Sequence, residues 1–239
     1  MQVGYYALSL FAGALIAGVI AAIAWKRAVT SVGRTLTVLM AAVFVWSFAA
    51  ALEAAVPETA TKVLLSKIEY IGIATVPVLM FLFALRFLQS GRKLGKGWTA
   101  VLWVIPAATI VLAFTNERHH LIWSGLSPAA NAREQLLLYD HGTFFWVHAG
   151  YSYLLLFATT AFLLLAFFRF KGLYRKQALA LLLAFPLPWA ATPFISPGWP
   201  ARRAATISRR SASPSPVSSS SGPCSGSSSS TSCPWPGSA

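Results

Sequence analysis

Two carboxylates, Glu53 and Glu69, stand at the ends of long apolar runs. An ionisable side chain is costly in lipid and usually faces a bundle interior or a partner, so both are candidates for sensing a polar ligand. The plainer alternative is an interfacial residue wetted by headgroups or paired with a lysine, and Lys67 is close to Glu69 in sequence. Tyr70 adjoins Glu69 and is grouped with it. His148, Tyr151 and Ser152 follow the i, i+3, i+4 spacing and so share one helical stripe. A neutral imidazole beside two hydroxyls can bind a ligand, follow external pH or hold a metal. It can equally be a satisfied interhelical histidine. Trp146, with Trp123, Phe144, Phe145 and Tyr153, reads either as an aromatic belt or as the lining of an apolar pocket.

His119 and His120 adjoin each other, with His141 further along. Zinc needs three or four convergent ligands, and this spacing supplies no such set, so neither a metal nor a cofactor is expected. No serine–histidine pair, paired catalytic aspartates or HExxH motif is present, so no residue is assigned a catalytic role. Both cysteines, Cys224 and Cys233, fall near the carboxy terminus without a ligand-spaced partner.

The elements that would position these residues follow from composition. The chain of 239 residues is 56% hydrophobic and 10% charged, whereas soluble domains carry about 25% charged residues. A free-standing soluble enzyme is excluded. Six runs are long and apolar enough to span a bilayer, at 5–24, 35–56, 70–88, 98–114, 145–168 and 178–195, which predicts an all-α, polytopic membrane helix bundle. The net charge of +13 suggests nucleic acid, but the cations fall in short groups between the runs. Eleven of them end or follow the first, third and fifth runs: Lys26, Arg27, Arg34, Arg86, Arg92, Lys93, Lys96, Arg169, Lys171, Arg175 and Lys176. Only Lys62, Lys67, Arg118 and Arg133 lie on the other side. The positive-inside rule therefore puts the N-terminus outside, with the bilayer and not nucleic acid as partner. Arg86 is expected to snorkel to headgroup phosphates. Pro77, Pro106, Pro186, Pro188 and Pro193 are expected to kink their helices and leave local carbonyls free. The polar segment 115–143 is external and long enough to be functional.

After residue 195 the sequence turns abruptly to Ser, Pro, Arg and Gly. As written, 197–239 is a low-complexity tail that cannot build a core. Serine codons of the TCN type, read one base earlier, become NTC, and every NTC codon specifies Phe, Leu, Ile or Val. The serine run then becomes an apolar run that opens D-L-T-P, a seventh helix. A single missing base between residues 193 and 203 is the reading adopted over a genuine tail.

The fragments FVWSFAAALE, SKIEYIGIATVPVLMFLFALRF, TNERHHLIW, GTFFWVHAGYSYLLL and GLYRKQALALLLAFPLPW resemble, in order and spacing, the seven-transmembrane N-terminal sensory region of bacterial and archaeal histidine kinases. The resemblance implies that 1–196 is a membrane-embedded input domain responding to a small-molecule or membrane stimulus, with a homodimer carried mainly by the output domains. No phosphoacceptor box or ATP-binding pattern appears in the sequence, so this chain is expected to have no kinase activity of its own. The alternative is a small multi-pass transporter or channel subunit, against which stand the lack of a convincing repeat and of charges in mid-span. A retinal Schiff base is disfavoured because all seven lysines lie in loops or at helix ends.

Overall fold

The computed structural model describes residues 5–26, 28–88, 95–128 and 137–184. These residues form helices α1 (Tyr5–Lys26), α2 (Ser31–Ala55), α3 (Thr59–Leu88), α4 (Lys96–Phe114), α5 (Thr143–Arg169) and α6 (Leu173–Ala184), with strands β1 (Trp123–Pro128) and β2 (Leu137–His141) between α4 and α5. The first five helices are long and apolar enough to cross a membrane. The architecture is an all-α bundle, as the hydropathy predicts. For the sixth span, α6 begins at Leu173, five residues before the expected start. The expected residues 185–195, the whole serine-rich tail, Pro186, Pro188, Pro193, Arg27, Arg92, Lys93, Arg133 and Glu134 lie outside the described residues.

The largest departure in a boundary is in α3. Hydropathy starts the third span at Tyr70, but the helix begins at Thr59. The extra three turns, carrying Lys62, Ser66 and Lys67, are too polar to register in a hydropathy window, yet they continue the backbone hydrogen bonding and are held by tertiary contacts. Local signals end α2 cleanly. Thr30 accepts a hydrogen bond from the Gly33 N–H at 3.0 Å at its start, and Val56 turns extended before Pro57, which cannot continue a helix.

α3 is the central helix, with α2, α4 and α5 packed on it and α1 packed on α2. Its buried residues run from Lys62 to Leu85. Leu39, Val76, Leu79 and Met80 form one core, ringed by Trp46 and Trp103. Val78, Leu82 and Leu155 form a second. Gly72 sets the α2–α3 approach, because a Cβ there would stand 2.5 Å from Trp46 Cβ and 2.8 Å from the Ala42 carbonyl oxygen. Small residues at such crossings are how membrane helices gain close packing without a hydrophobic driving force between them. α1 does the same with buried Ala7, Ala14 and Ala17. Along α5, His148, Ser152, Leu155, Thr159, Leu163 and Ala166 make one buried stripe.

Lys26, Arg86 and Arg169 end α1, α3 and α5. Arg86 does more than reach for solvent: its Nη1 donates to Thr35 Oγ1, tying the end of α3 to the start of α2. The Phe87 ring also meets Phe170 just past α5. The opposite ends of the helices carry the hairpin.

Candidate functional site at the hairpin end

The segment between α4 and α5 is a folded cap and not an open loop. Strands β1 and β2 pair antiparallel, with a register shift between Trp123 and Gly125. A lone hairpin is marginal, so what fixes it is its seat. Asn116, in a single 3-10 turn after α4, is buried, and its side chain makes three hydrogen bonds. Its Oδ1 accepts from the Ile122 and Trp123 N–H groups, both at 3.0 Å, while Nδ2 donates to the Trp123 carbonyl at 3.0 Å. Gly142 lets the chain re-enter α5: a Cβ there would lie 2.3 Å from the Leu121 carbonyl oxygen.

Beneath β1, Trp123 meets Tyr70 edge-on at 5.1 Å between ring centroids and lies 5.3 Å from Tyr139. Tyr70, Ala113, Ile122 and Trp123 form an apolar plug at this end. Beside it is a polar cluster. The Tyr139 hydroxyl donates to Glu53 Oε1 at 2.7 Å. That commits its only proton, so Ser66 Oγ donates to the phenol oxygen. Burial raises the Tyr139 phenol above its ordinary range, and the Glu53 carboxyl adds to the effect. It therefore remains a donor at neutral pH. Lys62, 2% exposed, donates to the Glu53 backbone carbonyl at 3.1 Å. Glu69 lies within interaction range of Glu53, yet its Oε1 is buried without a hydrogen-bond partner among the described residues. Buried polar atoms are nearly always satisfied, so this oxygen marks a place where a donor fits.

Lys67, the lysine that sequence proximity offers to Glu69, pairs with Glu117 and donates to the Phe114 carbonyl at 3.3 Å. The Lys67 hydrogen bond holds the Glu117 carboxyl below its usual range. His119 is spent locally: Nδ1 accepts from the Leu121 N–H at 3.1 Å and Nε2 bonds Thr115 Oγ1 at 3.0 Å. Among the described residues no group of three or more His, Cys, Asp or Glu side chains is arranged to hold a metal ion.

The sequence candidates thus fall into three places. Glu53, Glu69 and Tyr70 come together under the hairpin. His148, Tyr151 and Ser152 face inward further along α5: His148 is buried between Thr109 Oγ1 at 3.2 Å and Ser152 Oγ at 3.3 Å, and Tyr151 donates to the Leu102 carbonyl at 2.7 Å. Trp146 belongs to neither group, being 62% exposed and set edge-on to Phe145 and tilted against His141. Sequence reasoning did not single out Tyr139, Ser66, Lys62 or Asn116 for the site. The one available signal was the tyrosine inside the polar external segment, and nothing in the spacing says which helix it reaches.

A family model described as the N-terminal 7TM region of histidine kinase matches residues 9–201. Neither a curated protein nor a solved structure matches the chain.

Proposed function

We propose that this chain, which belongs to the family of N-terminal 7TM regions of histidine kinases, takes its stimulus at the hairpin end, where Glu53, Glu69, Ser66 and Tyr139 meet. As a multi-pass membrane protein of that family it is a sensory input region of a two-component system. The catalytic steps belong to cytoplasmic dimerisation, phosphoacceptor and ATP-binding domains, which also bring two copies together. The N-terminus and the hairpin face outward from a prokaryotic cell membrane, a reading supported by the eleven cations that end or follow the first, third and fifth runs.

The observation that carries the site is the buried Glu69 Oε1, without a hydrogen-bond partner among the described residues, beside a tyrosine that joins the hairpin to two helices. A small molecule offering a donor would satisfy that oxygen and compete with Tyr139 for Glu53. Binding that favours one arrangement of hairpin and helices over another is what allows a signal to pass. The family match ends at residue 201, inside the 193–203 window where a one-base shift would restore a seventh span. That end supports reading 1–196 as the sensory bundle and 197–239 as a seventh span in the wrong frame.

The test joins the bundle, through a restored seventh span, to a histidine-kinase core and reads autophosphorylation in membranes. Glu69→Gln and Tyr139→Phe are expected to shift basal output several-fold at equal expression, and Trp146→Phe to leave it alone. Output unmoved by both cluster variants contradicts the site.

A further inference from the structure

Pro77 and Pro106 lie in the middle of α3 and α4. A proline has no N–H, so the carbonyl four residues earlier loses its helical partner, and the ring crowds that oxygen as well. The carbonyls concerned are those of Ile73 and Leu102. Inside a bilayer no water replaces the missing donor, and neighbouring side chains must supply it. For Leu102 the replacement comes from α5: the Tyr151 hydroxyl donates to its carbonyl at 2.7 Å. One turn earlier on the same face of α5, His148 Nδ1 bonds Thr109 Oγ1 at 3.2 Å. Leu102 and Thr109 lie on either side of Pro106, so two adjacent rungs of α5 hold α4 across its proline.

We propose that α5 is a clasp across Pro106 of α4, Tyr151 holding the carbonyl that the proline leaves without a helical partner and His148 the hydroxyl beyond it, so that a rotation or slide of α5 resets α4 at its proline. α5 starts directly at the hairpin through Gly142, which gives the cap a mechanical hold on the clasp. The inference does not depend on where a stimulus binds.

The test is a double-mutant cycle on the full chain in nanodiscs. Tyr151→Phe is expected to lower the melting temperature by roughly 2–4 °C in the native background. It should have almost no effect beside Pro106→Ala, because the restored N–H then serves Leu102. Equal shifts in both backgrounds overturn the clasp. Should Pro106→Ala fail to fold, nitroxides at Val101→Cys and Val111→Cys report the geometry of α4 across the proline directly. Both sites are exposed, at 62% and 61%, and flank the proline; Cys224 and Cys233 are replaced by Ser in that background. A changed interspin distance on adding Tyr151→Phe supports the clasp, and an unchanged distribution overturns it.

Discussion

Asn116 shows how much one side chain decides at this end of the molecule. It satisfies two N–H groups and a carbonyl at the entry to β1, all buried with it. Truncation to alanine leaves those groups without partners, at a cost of about 1–3 kcal/mol for each buried group left unsatisfied. Asn116→Ala should therefore make the hairpin sensitive to limited proteolysis while the helices stay intact, and a cleavage pattern identical to wild type contradicts this role. Glu117, two-thirds exposed, contributes less. Its carboxyl lies below the ordinary glutamate range because Lys67 bonds it, so its stabilisation is fully present above that range and fades as pH falls through the folded value. The amount is small, about 0–1 kcal/mol for an exposed pair. Acidification should lower the melting temperature slightly more for wild type than for Glu117→Gln, and parallel pH profiles would show the pair to be inert. The sequence makes Glu53, Glu69 and His148 visible as polar residues in apolar runs. It hides Asn116 and Tyr139, because their importance arises from a loop folding back on helices distant in sequence.

At the scale of elements, apolar length decided what could be read. A run of twenty apolar residues must be a spanning helix in lipid, since no other local structure satisfies its backbone, and five of the expected spans have helices at those positions. The polar first turns of α3 and the hairpin gave no such signal. Helix there depends on Lys62 and Ser66 being taken up by Glu53 and Tyr139. Trp123–Pro128 includes Gly125 and ends in proline, a poor strand by propensity, and pairs with β2 while Asn116 and Tyr70 hold it in place. The α2–α3 crossing supplies a further test. Gly72→Leu would push its side chain into Trp46 and the Ala42 carbonyl, and overpacking of this kind costs about 1–3 kcal/mol or more. A clear fall in melting temperature is expected, with Gly150→Ala as the neutral control, since nothing lies within 4 Å of a Cβ there. Equal stability of the two variants would mean that the crossing is not close.

For the whole molecule, the features with signalling potential are at opposite ends of long helices. The cap, the carboxyl pair and Tyr139 crowd one end, while Arg86 bonds Thr35 at the other. The orientation proposed from the charge distribution is open to a direct check. In intact cells, Ser124→Cys should react with a membrane-impermeant maleimide, and Lys171→Cys only after permeabilisation, with the native cysteines replaced by serine in both; the reverse pattern would turn the bundle over. Signalling through the bundle requires that a change at Glu69 be felt at the far end. The most direct measurement is hydrogen exchange of the full chain in nanodiscs, wild type against Glu69→Gln. Altered protection is predicted both in β1 and β2 and around the far ends of α3 and α5, near Arg86 and Arg169. Changes confined to the hairpin and the first turns of α3 would leave a cap that binds without signalling, and would contradict the account.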